Sequence, residues 1–490
     1  MSYKYIPIKL PGVQRCKYNF KSNIFALLKN AQMREQSESM KEVVWIRWGV
    51  LFIVSLIMAA NYYFYDALSP LKDQMQIHLG FSNQQYGFLQ STYSLSNVFL
   101  FMAVIGGVLL DKWGIRFTGI GFTFFMASGS ILTYYGASDA FSAGGIGYHF
   151  MNSFLTGYTP AFKMMTFGYF LFGLGAETSI VVITTIVVKW FKGKELALAL
   201  GINLALARVG QAMSFFLSAN LSTPDLWYRP ILLAACMLSI AFLFFLVYSL
   251  IDFRLDKQIS FKHQIDEAEK FKISDILKII RIPSFIYITL LCVTFYSAFF
   301  PFLKYATDLL HNKFSLSTAI AGRLTSVPIF FTVLFTPLFG WFADTRGKSA
   351  SMMVYSSILL IISHLTLTFT NIYPIIPMAL LGISFSLIPA AMWPAVSKIV
   401  DQKRLGTAYG IMFSVQNFGL WLFPILIGYV LDKTNPHVTA AMVEAGTAKY
   451  NYTYSILMLA IIGIVGVVFS LLLKREDTTS GFGLELPNKS

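Results

Sequence analysis

Two ionisable residues interrupt long apolar segments of this sequence, and together their chemistry suits a zwitterionic ligand. Glu177 lies ~18 Å of helix before Lys189, where its apolar segment ends. Arg208 lies ~21 Å of helix after Lys194, which precedes the next segment. Both would therefore lie just beyond the middle of a hydrocarbon core ~30 Å thick, on consecutive antiparallel helices. A carboxylate binds an ammonium group and a guanidinium binds a carboxylate, so we expect an amino acid or a short peptide as the ligand.

Two alternative interpretations of this pair remain open. In the first, Glu177 and Arg208 only neutralise each other, although a permanently closed buried ion pair stabilises little over apolar packing. A charge at the centre of a spanning helix costs at least ~2.5 kcal/mol on insertion scales, which favours a functional role. In the second, Arg208 alone binds a monocarboxylate or another organic anion, and Glu177 carries a proton with it.

Aromatic and amide side chains from the second half of the sequence are expected to form the walls of this site. Five residues are predicted to contact the ligand: Tyr296, Trp393, Gln416, Asn417 and Trp421. Such groups suit a ligand whose own side chains vary. The chain contains 46 Phe and 25 Tyr, however, so a single aromatic residue more often packs in the core or against lipid than in a binding site.

The elements that must position these residues are expected to be helices that span a membrane. Of the 490 residues, 56% are hydrophobic and 13% are charged, whereas soluble domains carry ~25% charged residues, so a soluble enzyme is excluded. Twelve apolar segments are long enough to cross a bilayer, at residues 44–65, 86–110, 117–137, 164–188, 196–219, 229–252, 284–307, 322–343, 350–370, 374–399, 406–431 and 452–473. The sequence shows no histidine cluster, metal-ligand spacing, nucleophile motif or paired catalytic carboxylates, so we expect neither enzyme activity nor a cofactor or metal.

The positions of the basic residues predict the orientation of the chain. Most of the 38 Lys and Arg residues fall in the two tails, in the central linker and in the loops on the same side, which places both termini in the cytoplasm. Lys72 and Lys304 are among the few basic residues that we assign to the opposite side. The net charge of +14 is thereby explained by topology and by attraction to anionic lipid headgroups, and nucleic acid is not an expected partner.

Two loops repeat a pattern six spans apart. The loop after the second span contains Gly107, Asp111, Lys112, Gly114 and Arg116, and the loop after the eighth contains Gly340, Asp344, Arg346 and Gly347. The glycines permit a tight turn, and the carboxylate can be held by a helix terminus or a basic residue. These loops resemble the signature loops of the major facilitator superfamily, which implies that they act in conformational switching.

A longer repeat supports the same division of the chain into two related halves. Residues 173–210 align without gaps on residues 382–419, and only the first copy carries Glu177 and Arg208. The predicted fold class is an all-α membrane protein with twelve transmembrane helices in two pseudo-symmetric six-helix bundles, and such halves place a transported ligand at their interface. The predicted divisions are a tail at 1–43, a bundle at 44–252, a linker at 253–283, a bundle at 284–474 and a tail at 475–490.

Within the superfamily, the sequence resembles the branch of the lysosomal dipeptide uniporter. The similarity is densest over Trp190–Leu196 and Ala207–Gly210, and it recurs over Tyr296–Phe302. This resemblance implies a transporter that moves dipeptides without obligatory ion coupling. It also implies that a glutamate on the fourth span and an arginine on the fifth hold the amino and carboxyl ends of the ligand, and Glu177 and Arg208 match those positions.

Location and assembly are expected to differ in part from that branch. The N-terminal tail lacks the acidic dileucine pattern of a lysosomal address, so we expect a plasma membrane or a bacterial inner membrane rather than the lysosome. The expected partners are the small zwitterionic substrate and the lipid bilayer. The resemblance to the superfamily implies a monomer.

Overall fold

Long helices make up almost all of the regular structure. The computed structural model describes residues 40–258 and 273–487, so residues 1–39 of the predicted N-terminal tail and residues 259–272 of the predicted linker lie outside it. Within the described ranges there is no strand. Twelve long helices follow one another along the chain: α1 (Val44–Ala67), α2 (Asn83–Leu100), α3 (Met102–Ala137), α4 (Pro160–Phe191), α5 (Leu196–Leu221), α6 (Arg229–Gln258), α7 (Pro283–Phe314), α8 (Thr318–Arg346), α9 (Ser349–Phe369), α10 (Ile375–Ile399), α11 (Leu405–Thr434) and α12 (Thr453–Ser480).

The second span is the least apolar of the set. Among the described residues, 11 segments are long and apolar enough to cross a membrane, and α2 is absent from them because polar side chains such as Gln90 and Asn97 are buried on its inner face. The chain continues from α2 into α3, which bends at Gly114. The first part of α3 therefore completes the second span, and the rest forms the third. The predicted fold class, an all-α protein with twelve spanning helices, is confirmed.

Glycines at equivalent positions of the repeat make equivalent helix contacts. Gly173 on α4 lies against the backbone of α2, and Gly382 on α10 lies against the backbone of α8. Gly210 on α5 lies against α1, and Gly419 on α11 lies against α7. Because a side chain at any of these positions would overlap the neighbouring helix, the repeated glycines set the same close helix pairs in each half.

The signature loops turn at the glycine that closes each motif. Gly114 has a φ of +76° and Gly347 a φ of +72°, a left-handed conformation that glycine adopts at little cost. Arg116 forms an ion pair with Asp256 on α6 at 3.2 Å. Gly107, Asp111 and Lys112 lie in the part of α3 before the bend, and Gly340, Asp344 and Arg346 lie at the end of α8. We call the end of the bundle that carries these loops, Met40 and Pro487 the proximal end, and the opposite end the distal end.

The two halves meet mainly at the distal end. The contacts join α2 to α11, α5 to α8, and the turn Ser69–Leu71 after α1 to α7. Gly87 on α2 lies so close to the carbonyl oxygen of Pro424 that a Cβ atom would overlap it. Gly428 on α11 lies equally close to the carbonyl oxygen of Asn83. The distal end is therefore closed by backbone against backbone, which only glycine permits here.

Replacing Gly87 by alanine is expected to disfavour the closed distal end, because the added methyl group meets a backbone oxygen that cannot move aside. A cysteine placed in the turn at Ser69 should then react faster with a membrane-impermeant thiol reagent than it does in the Gly87 background. Gly49, where a Cβ atom meets nothing within 4 Å, provides the matched control for alanine substitution. Equal labelling of Ser69→Cys with and without Gly87→Ala would contradict this account of distal closure.

The C-terminal segment folds back onto the second signature loop. Helix α12 extends past the predicted end of its span at residue 473 and stops at Ser480. Glu485 then accepts a hydrogen bond from the backbone N–H of Ser351 at 2.7 Å and another from its hydroxyl at 3.0 Å. The carboxylate thereby caps the first turn of α9.

Candidate functional site

Glu177 faces the interior of the first half from α4. Its polar neighbours are the side chains of Tyr93 and Asn97, which lie one turn apart on α2. The close approach of α4 to α2 at Gly173, one turn before Glu177, brings these groups within reach. The carboxylate is thus presented by two polar neighbours and not buried in a purely apolar wall.

Arg208 lies on α5 between two aromatic rings. The centre of its guanidinium is 5.5 Å from the ring centroid of Tyr62 on α1 and 5.5 Å from that of Phe385 on α10. Its Nη1 donates a hydrogen bond to Oε1 of Gln211 at 2.7 Å. Aromatic contacts of this kind hold a planar guanidinium by cation–π attraction. Since Phe385 belongs to the second half, the arginine stands at the interface between the halves.

The opposite charges of Glu177 and Arg208 do not pair directly. Among the described residues, no ion pair joins them, and each is held by other partners. The hydroxyl of Tyr62 lies in the electrostatic field of both. An acid and a guanidinium therefore lie near one tyrosine without pairing with each other, so that both charges can bind a third group, as a zwitterionic ligand requires.

One of the predicted wall residues, Tyr296, lies close to Arg208, and a second, Trp393, lies beside Tyr296. Tyr296 on α7 packs edge to face against Phe385, with ring centroids 5.6 Å apart, and it interacts electrostatically with Arg208. The hydroxyl of Tyr296 is also a hydrogen-bonding neighbour of Trp393 on α10. The structure thus brings Tyr296 and Trp393 together, and Tyr296 is the one of the two that interacts with Arg208.

The other three predicted wall residues, all on α11, lie apart from the charged pair. Gln416 accepts a hydrogen bond from Cys292 on α7 at 3.5 Å, and Asn417 donates to the carbonyl of Phe413 on its own helix at 3.0 Å. Trp421 packs against Phe99 on α2, with ring centroids 5.6 Å apart. Within the described ranges, no hydrogen bond or ring contact joins these three to Glu177 or Arg208.

A series of polar contacts that was not predicted from the sequence continues from Arg208. Gln211 Nε2 donates to Asp66 Oδ2 at 2.6 Å, and Asp66 Oδ1 lies 2.8 Å from Nζ of Lys304 on α7. Lys304 also donates to the backbone carbonyl of Tyr65 and lies over its ring, 3.6 Å from the centroid. The arginine is therefore connected to the second half through two buried side chains and a lysine.

A second ion pair between the halves lies nearer the distal end. Lys72, which follows the turn after α1, is 2.6 Å from Asp308 on α7, and both side chains are buried. Tyr452 donates a hydrogen bond to the same carboxylate. Lys72 lies in the connection between α1 and α2 and Lys304 lies within α7, and the burial of both side chains in ion pairs was not predicted. Lys304 and Asp308 are four residues apart, so they share one face of α7, and this spacing was the signal in the sequence that could have revealed the pair.

The segment of densest resemblance fastens the proximal end of α1. Arg47 forms an ion pair with Glu195 at 3.1 Å, just before α5. Lys194 donates a hydrogen bond to Glu42, and this bond lowers the pKa of the Glu42 carboxyl. These contacts join the turn between α4 and α5 to α1. The turn sets the relative heights of Glu177 and Arg208.

Comparisons with known proteins place the fold in a family. A sequence profile described as Major Facilitator Superfamily matches residues 51–321 and 289–488. The lysosomal dipeptide transporter MFSD1 of Mus musculus is 33% identical over 397 residues, which cover 79% of this chain and 80% of that protein. The lysosomal dipeptide transporter MFSD1 of Homo sapiens is 33% identical over 396 residues, which cover 78% of this chain and 79% of that protein.

Solved structures share the fold at low sequence identity. The nucleoside transporter NupG superimposes with a TM-score of 0.61 at 15% identity and covers 87% of this chain and 99% of its own. The xylose transporter XylE from E. coli, in an inward open conformation, superimposes with a TM-score of 0.64 at 12% identity and covers 87% of this chain and 95% of its own.

Proposed function

Because the chain belongs to the major facilitator superfamily and is a membrane transporter, not an enzyme, we propose that it carries dipeptides and similar small zwitterions by alternating access, as a uniporter. The observation that carries the proposal is that Glu177 and Arg208 both lie near Tyr62, with no ion pair between them among the described residues. Relatives named as dipeptide transporters support the same class of substrate.

In this proposal, the two charges bind the two ends of the ligand. Glu177, with Tyr93 and Asn97 beside it, accepts hydrogen bonds from the ammonium group. Arg208, sandwiched by Tyr62 and Phe385, donates to the carboxylate. Because both contacts involve backbone ends of the peptide, the ligand's side chains are free to vary, and aromatic walls accept them without specific hydrogen bonds.

Wall and loop residues keep the roles expected from the sequence. Tyr296 and Trp393 contact the ligand's carboxyl end from the second half, and Gln416, Asn417 and Trp421 approach the ligand when the halves rearrange. The two signature loops, over 107–116 and 340–347, act as the proximal switch. Alternating access then consists of opening the distal contacts of α2 with α11 and α5 with α8 while the proximal end closes.

Topology and location are part of the proposal. With both termini in the cytoplasm, the proximal end faces the cytoplasm and the distal end faces the opposite compartment. The relatives are named as lysosomal. For this chain we propose a plasma membrane or a bacterial inner membrane, on the basis of its N-terminal tail, and we propose that it acts as a monomer.

The proposed substrate class can be tested by ligand-induced stabilisation of the purified protein. Ligands that bind only the folded state raise the melting temperature, whatever the transport mechanism. We expect alanyl-leucine to raise it, and N-acetyl-alanyl-leucine, alanyl-leucine amide and lactate to leave it near the value without ligand. Stabilisation by lactate but not by alanyl-leucine would contradict the proposal and favour the second candidate, a proton-coupled organic-anion transporter in which Glu177→Gln flattens the pH dependence of uptake.

A further inference from the structure

In the series of polar contacts from Arg208 to Lys304, the donor and acceptor of each hydrogen bond are fixed. Asp66 can only accept hydrogen bonds, so Gln211 must turn its NH₂ group toward Asp66 and its carbonyl oxygen toward Arg208. Asp66 thereby orients Gln211, and Gln211 holds one nitrogen of the guanidinium. Gln211, Asp66 and Lys304 are 0%, 1% and 2% exposed, so water does not compete with these contacts.

Lys304 neutralises a carboxylate that would otherwise compete for Arg208. The Asp66 carboxylate is separated from the guanidinium by a single amide side chain. A buried carboxylate without a cationic partner is costly, and it gains most from the nearest free cation. With Lys304 2.8 Å away, Asp66 is satisfied, and the other nitrogens of Arg208 remain available for a ligand.

Among the four residues of this series of polar contacts, Lys304 is the one that belongs to the second half. Asp66 lies on α1 and Arg208 and Gln211 lie on α5, all in the first half, whereas Lys304 lies on α7. When the distal contacts open, α7 separates from α1, and Asp66 loses its cation. The aspartate then becomes a rival of the ligand's carboxylate for the arginine.

We propose that Lys304, acting through Asp66 and Gln211, sets the affinity of Arg208 for the ligand's carboxylate. The carboxyl end is held firmly while the distal end is closed, and Asp66 displaces it when the distal end opens. Lys304, Asp66 and Gln211 are thus positioning residues that couple ligand affinity to conformation. This inference rests on the proposed function, since it takes Arg208 as the group that binds the carboxylate.

The test measures equilibrium binding of alanyl-leucine and of its C-terminal amide to the full chain in lipid nanodiscs. In Lys304→Met, Asp66 has lost its partner, so we expect alanyl-leucine to bind ~10-fold more weakly, as for one lost charge-assisted hydrogen bond, while affinity for the amide stays the same. In Asp66→Asn/Lys304→Met the rival charge is absent, so we expect affinity for alanyl-leucine to return toward the wild-type value.

Lys313→Met is the matched control on the same helix, because Lys313 donates to the carbonyl of Thr368 at 2.7 Å and lies outside the series of polar contacts. It should bind both ligands as the wild type does. Equal weakening of both ligands in Lys304→Met, or no recovery in the double variant, would overturn the inference. If Lys304→Met does not fold, Gln211→Met provides the test: a reduced preference for the free acid over the amide supports the inference, and an unchanged preference overturns it.

Different results would disprove the proposed function and the proposed role of Lys304. If the wild type does not bind alanyl-leucine, or if Arg208→Ala binds it unchanged, the proposed function is wrong. If binding depends on Arg208 but the preference for the acid over the amide is the same in the wild type, in Lys304→Met and in the double variant, only the role of Lys304 is wrong.

Discussion

Replacing Arg208 by alanine is expected to lower the uptake of alanyl-leucine into proteoliposomes ~100-fold, because truncating one partner of a buried charge pair costs 2–5 kcal/mol or more. Glu177→Gln should reduce uptake to a similar extent, since a neutral amide replaces the charge that faces the ammonium group. Arg208→Lys should recover part of the activity: it keeps the charge and loses the planar fork of donors.

Matched substitutions elsewhere separate this effect from a general loss of protein. Arg229 lies exposed at the start of α6, away from the contacts between the halves, and Arg229→Ala should transport normally. Glu444, which is exposed at the distal end, provides the corresponding control as Glu444→Gln. Uptake near the wild-type rate in both Arg208→Ala and Glu177→Gln would contradict the assignment of the site.

Replacing Asp308 by alanine is expected to destabilise the protein by ~3 kcal/mol, because Lys72 would lose its direct partner and keep only the carboxylate of Asp73, 3.9 Å away. The measurement is the melting temperature in nanodiscs without ligand. Removing both charges together, in Lys72→Met/Asp308→Leu, should recover most of the loss, because apolar side chains of similar volume replace a buried ion pair at little or no cost.

The exposed carboxylate of Asp225 provides the control for this effect, and Asp225→Ala should melt as the wild type does. If Asp308→Ala melts at the wild-type temperature, the Lys72–Asp308 contact contributes nothing to the closed distal end. If the double variant is less stable than the single one, the cost does not arise from an unpaired charge.

The architecture could be predicted because the backbone geometry requires glycine at equivalent positions of the two halves, and the repeated glycines are visible in the sequence. Gly114 and Gly347 adopt positive φ in both loops, and Gly173 and Gly382 make the same close helix contact in both halves. The second span was harder to delimit, since its inner face is polar and the chain passes into α3 without a loop. Hydropathy reports contact with lipid, and α2 packs much of its surface against protein.

The distances of Glu177 and Arg208 from the proximal ends of their helices could also be predicted, because helical rise converts sequence spacing into distance. The partners of these residues could not. Asp66 and Lys304 lie near the distal ends of their spans, where charges usually belong to loops, and only the packing of α1 against α7 turns them into a buried pair. Gln211 is one turn from Arg208 on the same helix, yet its role depends on Asp66 from another helix.

The central claim is that one end of a dipeptide binds Glu177 and the other binds Arg208. Equilibrium binding of alanyl-leucine, N-acetyl-alanyl-leucine and alanyl-leucine amide to the wild type, Glu177→Gln and Arg208→Ala tests it most directly, because each cap removes the group that one residue recognises. We expect Glu177→Gln to abolish the preference for a free amino end and leave the preference for a free carboxyl end, and Arg208→Ala to do the reverse. If both variants lose the two preferences to the same extent, or keep both, the claim is contradicted.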